Sequence, residues 1–132
     1  MKNVFIFSLF VLSIFFSSCC LGDKAVEYEY LVTNDSNSTI SVNFVANQSS
    51  ISNEETMISI EVGQTLAVLN TSGPLVSACE RLEIDENQID RDLISFDVIN
   101  ADSLISSRDY LMREEWDFDD AIYTVSVSQA EF

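Results

Sequence analysis

The chain has 132 residues, with 22 Asp and Glu against six Lys and Arg, no His, and a formal charge of −16. So large an anionic excess repels phosphate backbones and anionic headgroups, which argues against nucleic-acid partners and electrostatic adhesion to membranes. The lack of His removes Ser-His and Cys-His nucleophile arrangements and most zinc sites, and a hydrophobic content of 47% is too high for a disordered acidic tail.

The first segment, MKNVFIFSLFVLSIFFSS, carries Lys2 as its only charge and is almost entirely apolar from Val4 to Phe16. A cationic start, an apolar core of about 7–15 residues and small residues at its end describe a secretory signal peptide. A membrane-spanning helix needs about 20 apolar residues, and Gly22, Asp23 and Lys24 interrupt the run before that. Residues 1–18 are therefore read as signal peptide and excluded from the fold. The junction Phe16-Ser17-Ser18-Cys19 resembles the lipobox of bacterial lipoproteins. That resemblance implies a diacylglyceryl group on the Cys19 thiol, cleavage in front of Cys19, acylation of the new amino terminus, and attachment of the protein to the membrane through this lipid anchor. Two or three acyl chains hold a protein stably where one does not. Phe16 departs from the usual Leu. Cys20 fits less well, because Cys19 would then fill the small position before the cut. The plain alternative is a secreted protein cleaved near the same place.

Without Lys2 the remaining 114 residues keep all 22 acidic side chains and five basic ones (Lys24, Arg81, Arg91, Arg108, Arg113), a formal charge of −17. That length suits one domain with a modest core. We expect a tether over residues 19–26 and a domain over 27–132. With Cys19 acylated, Cys20 and Cys79 are left and could pair in an oxidising envelope. The competing reading makes Cys79 a small buried hydrophobe.

In the domain, EYEYLV (27–32) and ISVNFVA (40–46) alternate as half-buried strands do. The intervening NDSNST is turn chemistry, so the two are expected to form a hairpin. MISIEV (57–62) and LAVLN (66–70), joined at Gly63-Gln64, suggest a second hairpin, and TSGP (71–74) marks a loop. Residues 75–92 show no sustained period and read as loop with one short helical turn. LISFDVIN (93–100) reads as a strand with Ile94, Phe96 and Val98 on one side. Ser106-Ser107-Arg108-Asp109 has capping-box spacing and predicts a short helix before Trp116. IYTVSVS (122–128) alternates again. Short strands at roughly ten-residue intervals argue for an all-β fold, a single β-sandwich. Its expected core is Tyr30, Ile40, Val42, Phe44, Ile58, Ile60, Leu66, Val68, Phe96, Val98, Tyr123, Val125 and Val127.

The run YEYLVTNDSNSTISV, ISIEVGQTLAVLNTSG, ISFDVIN and RDYLMREEWDFDDAIYTVSVSQAEF resembles small uncharacterised lipoproteins of the Bacteroidetes over nearly all of the mature chain. The resemblance implies an immunoglobulin-like or transthyretin-like sandwich and a place on the outer membrane, on its periplasmic or cell-surface face. It implies no activity.

Sites are few. Glu54-Glu55, Glu114-Glu115 and Asp119-Asp120 are paired carboxylates, more naturally solvated faces than the two arms of acid/base catalysis, and no enzyme and no cofactor are expected. Hard cations want several oxygens, which makes Asp85, Asn87, Asp90 and Asp92 a candidate calcium set, with Asp117, Asp119 and Asp120 a second. Neither has EF-hand spacing, since Ile89 stands where a ligand belongs. Trp116, Tyr110 and Tyr123 read as packing residues, or as a sugar-stacking platform if exposed. Asp102-Ser103-Leu104 resembles the Asp-Ser/Thr-apolar acceptor of Bacteroidetes O-glycosylation, which implies a glycan on Ser103. Four Asn-x-Ser/Thr sequons, at Asn34, Asn37, Asn47 and Asn70, mark turns. The function expected is that of a lipid-anchored, non-enzymatic interaction or accessory module with a protein or glycan partner; the alternative is a carbohydrate-binding or nutrient-capture surface lipoprotein, which would need Trp116 and Tyr110 exposed together.

Overall fold

The computed structural model describes residues 22–47 and 55–132. These divide into two compact units: residues 22–26 with Pro74–Glu83, and Glu27–Gly73 with Ile84–Phe132. The expected signal peptide and lipobox-like junction, with Cys19 and Cys20, and Glu54 lie outside the described residues.

The smaller unit is built on two short strands, β1 (Asp23–Lys24) and β6 (Val76–Ser77). They pair antiparallel, Asp23 opposite Ser77 and Lys24 opposite Val76, and the Ala78 N–H donates to the Gly22 carbonyl at 3.0 Å. Within the expected tether, Asp23–Lys24 form a strand, and Pro74–Glu83, inside the expected domain of 27–132, groups with residues 22–26. Cys79 is disulfide-bonded. The alternative in which Cys79 is a buried hydrophobic thiol is thereby set aside.

The larger unit is an all-β sandwich. One sheet has the order β5-β2-β9-β8, from β2 (Glu27–Asp35), β5 (Thr65–Ser72), β8 (Asp117–Asp119) and β9 (Ile122–Ser128). The other has the order β4-β3-β7, from β3 (Ile40–Ala46), β4 (Glu55–Ile60) and β7 (Leu93–Asn100). Pairing is antiparallel except between β2 and β9, which run parallel with Tyr30 beside Tyr123 and Val32 beside Val125. One helical turn, α1 (Ile89–Asp92), leads into β7, where the aperiodic stretch predicted one.

Alternation decides which side chains meet between the sheets. In β2, Tyr28, Tyr30, Val32 and Asn34 are buried while Glu27 and Asp35 are exposed. In β9, Tyr123, Val125 and Val127 are buried, as the period of two requires. Eleven of the thirteen expected core residues are buried. Ile58 is only half-buried, on edge strand β4, and Leu66 is 37% exposed near the start of edge strand β5. Strand β5 also carries a bulge: Tyr30 faces Leu69 and Leu31 faces Ala67, so Val68 has no opposite number. The extra residue shifts the pleat and buries Val68 and Leu69 in succession.

Two expected hairpins do not form. β2 and β3 lie in different sheets, and so do β4 and β5, so the turns at 36–39 and 61–64 carry the chain from sheet to sheet. The reason is Asn34. Its side-chain amide donates to the carbonyls of Ser38 at 2.8 Å and Ile60 at 2.9 Å, and its Oδ1 accepts from the Ser36 N–H at 3.0 Å and the Ser36 hydroxyl at 2.7 Å. The Asn34 N–H donates to Gln64 O, and Gly63, held at φ 74°, donates its N–H to Asn34 O at 2.7 Å. One buried amide therefore ties both crossings together, satisfying polar groups that burial would otherwise leave costly.

The predicted helix before Trp116 is absent as well; residues 106–112 form turns and a 3-10 turn covers Arg113–Glu115. Ser106 does not cap a helix, because its hydroxyl pairs with the Tyr110 hydroxyl at 3.0 Å and receives the Arg108 N–H at 3.3 Å. A capping box does occur at the chain end, between Ser128 and Glu131.

Candidate functional site

The strongest concentration of polar chemistry in the sandwich surrounds Asp92, at the end of α1. The side chain is 6% exposed. Its Oδ2 accepts from the Tyr30 hydroxyl at 2.7 Å and the Thr71 hydroxyl at 2.5 Å, and its Oδ1 accepts from the Gln88 amide at 2.9 Å. Tyr30 is placed there by β2, Thr71 by β5 beyond the bulge, and Gln88 by the residue that opens the helical turn. Three donors on a carboxylate compensate its removal from water without a cation. Burial raises the Tyr30 hydroxyl well above the usual tyrosine range, and the bond to Asp92 raises it further, so Tyr30 remains a donor.

Two neighbouring tyrosines point at the same segment. Tyr28 accepts the Asp85 N–H at 2.8 Å, and the Tyr123 hydroxyl donates to the Glu86 carbonyl at 2.8 Å. Burial pushes Tyr123 up to about 12. The Tyr30 and Tyr123 rings stack with centroids 4.6 Å apart, and Tyr123 also meets Phe118 at 4.6 Å. Trp116 stands edge-on to Tyr30 at 5.7 Å and to Phe96 at 5.4 Å, and Phe96 stacks on Phe44 at 5.9 Å. The rings thus run as a spine from β2 and β9 across to β7 and β3. Arg113 lies 5.1 Å over Phe118 and donates to the Trp116 carbonyl at 2.6 Å.

The members of the first candidate calcium set are not drawn together. Asp92 faces the tyrosines. Asp85 accepts the Asn87 N–H at 2.9 Å and bonds the Arg91 guanidinium; the Asn87 N–H, and then the Arg91 side chain, hold its carboxyl below the usual range. Asn87 and Asp90 are exposed. In the second set, Asp117, Asp119 and Asp120 are all exposed, with Asp120 in a turn at φ 47°. Among the described residues no group of three or more acidic or Cys side chains could hold a metal ion. Of the paired carboxylates, Glu115 bonds Arg108 at 3.0 Å while Glu114 faces solvent.

Trp116 and Tyr110 are 2% and 1% exposed. The Trp116 indole N–H donates to the Tyr110 carbonyl at 2.8 Å, and the Tyr110 hydroxyl donates to Glu131 at 2.7 Å. Neither ring presents a face to a sugar, so the platform reading of these aromatics is withdrawn. Ser103 is exposed, at φ 62°, at the tip of a turn that Asn100 organises: its Oδ1 accepts the N–H groups of Asp102 at 3.0 Å and Leu104 at 2.9 Å. Sequence reasoning missed Asn34, Asn100 and Asp92 as buried polar hubs. An Asn at the end of an alternating strand, beside turn residues, was the signal available for the first two. No known protein family matches this chain, and no curated protein matches it.

Proposed function

We propose that this chain is a lipid-anchored protein of the outer membrane, attached through Cys19, whose sandwich serves as a non-enzymatic interaction or accessory module. The observation that carries the reading is where the polar and aromatic chemistry of the sandwich is directed. The carboxylate of Asp92 is occupied by Tyr30, Thr71 and Gln88, and Trp116 and Tyr110 are packed inside. These groups maintain the fold and are not available to a substrate. What remains for a partner is an acidic exterior. The anchor rests on the apolar run ending at Ser17-Ser18-Cys19, and the exposed turn at Asp102-Ser103-Leu104 supports Ser103 as the place of a glycan, since an acceptor hydroxyl must be reachable.

Mass spectrometry of protein taken from its own host tests both modifications. Acyl chains are expected on Cys19 and a sugar increment on the peptide containing Ser103. Cys19→Ala is expected to move the protein out of the membrane fraction, and Ser103→Ala or Asp102→Asn to remove the sugar. Acylation of Cys20 in place of Cys19 would contradict the anchor assignment, and an unmodified Ser103 would contradict the glycan.

A further inference from the structure

The chain has three cysteines, two of them adjacent, and the disulfide of Cys79 takes up one of the other two. We propose that its partner is Cys20, so that the adjacent pair divides two tasks: Cys19 carries the lipid and Cys20 pins the chain just behind the lipid to Cys79. The choice of Cys20 over Cys19 rests on the anchor proposed above, because a thiol converted to a thioether has no sulfur left for a disulfide.

The pairing of β1 with β6 brings the two ends together. Asp23 lies opposite Ser77, and the Ala78 N–H holds the Gly22 carbonyl at 3.0 Å. Cys79 follows Ala78 directly, and Cys20 precedes Gly22 by two residues, a span of at most about 7 Å of extended chain. Disulfides join Cα atoms roughly 4.4–6.8 Å apart, so a modest fold-back suffices. Gly22 itself sits at φ 110°, a conformation open to a residue without Cβ. Bond formation removes one hydrogen from each of the Cys20 and Cys79 thiols and joins their sulfurs. The two electrons and two protons pass to a disulfide-bearing thiol oxidoreductase of the envelope, which is left as its dithiol. The consequence is a short anchor: no residue intervenes between the acylated position and the pinned one.

The test uses full-length protein extracted from envelope membranes, denatured without reduction and treated with a maleimide. Wild-type protein is expected to take up no maleimide. Cys20→Ala is expected to stay in the membrane fraction and to take up one equivalent, on the peptide containing Cys79, while Cys79→Ala takes up one on Cys20. Cys19→Ala is expected to lose the lipid yet keep a peptide linking Cys20 to Cys79 that only reduction separates. A Cys79 peptide linked to Cys19, or labelled in the wild type, would overturn the assignment. A Cys20–Cys79 link beside an unacylated Cys19 would retain the disulfide and overturn the anchor alone.

Discussion

At the scale of single residues, the sandwich depends on a few buried polar groups that are fully partnered. Asp92 is the clearest, a carboxylate at 6% exposure whose charge is stabilised by the Tyr30, Thr71 and Gln88 donors. Tyr30→Phe keeps the stacked ring and removes one donor to a charged acceptor, so it is expected to cost about 1.5–3 kcal/mol of unfolding free energy, read from the midpoint of urea denaturation. An unchanged midpoint would mean that the carboxylate does not need the hydroxyl. The tyrosines also set an alkaline limit. Burial raises the hydroxyls of Tyr30, Tyr110 and Tyr123 in the folded chain, the last to about 12, whereas in the unfolded chain each ionises near pH ~10. The folded state therefore holds these protons more tightly. Their contribution is fully present below about pH 10 and is lost as the pH rises from there through the folded values. The urea midpoint is expected to be level from pH 8 to 9.5 and to fall above 10, with tyrosinate absorbance near 295 nm growing together with unfolding. Full ionisation of all four tyrosines at pH 10.5 in a chain that remains folded would refute this.

At the scale of elements, β3 is the central strand of its sheet, paired with β4 on one side and β7 on the other. Phe44 is 3% exposed and stacks on its cross-strand partner Phe96. Phe44→Ala removes the ring from between the sheets and is expected to cost about 3–5 kcal/mol, a large part of the stability of a domain this size. Thermal unfolding followed by far-UV circular dichroism measures it, and a loss below 1 kcal/mol would show that the site collapses around the change. The crossings between sheets are elements of a different kind. They depend on side-chain amides more than on turn propensity, since Asn34 organises two of them.

At the scale of the whole molecule, charge is the dominant unspent term: beyond residue 18, 22 acidic side chains face five basic ones. Arg91, Arg108 and Arg113 already sit in ion pairs, so net repulsion among the remaining carboxylates opposes compaction. Salt should relieve it, because the screening length shrinks from about 30 Å at 0.01 M to roughly 3 Å at 1 M. The melting temperature at pH 7 is expected to rise by several degrees between those concentrations of sodium chloride. A falling melting temperature would indicate that the ion pairs outweigh the repulsion.

The sequence by itself determined what depends on local period and composition. The alternating runs at 27–32, 40–46, 93–100 and 122–128 are strands, most of the alternate apolar positions form the core, though Ile94, expected beside Phe96 and Val98, is 48% exposed while Leu93 is buried, and the helical turn Ile89–Asp92 falls within the aperiodic segment. These were legible because a half-buried strand must repeat every second residue. Which strands pair was decided by the tertiary structure. A turn sequence specifies that the chain reverses, not whether it returns in the same sheet, and the answer came from an amide 26 residues distant in sequence from one of its partners, Ile60. The same holds for Ser106, whose capping signal was overruled by a buried tyrosine hydroxyl. It holds for Trp116 and Tyr110, whose aromatic rings could serve a surface or a core until packing placed them inside. It holds most for Asp92: four oxygen-bearing residues close in sequence suggest a cation site, but Asp85 pairs with Arg91, Asn87 and Asp90 are exposed, and long-range burial gave the Asp92 carboxylate to Tyr30, 62 residues away.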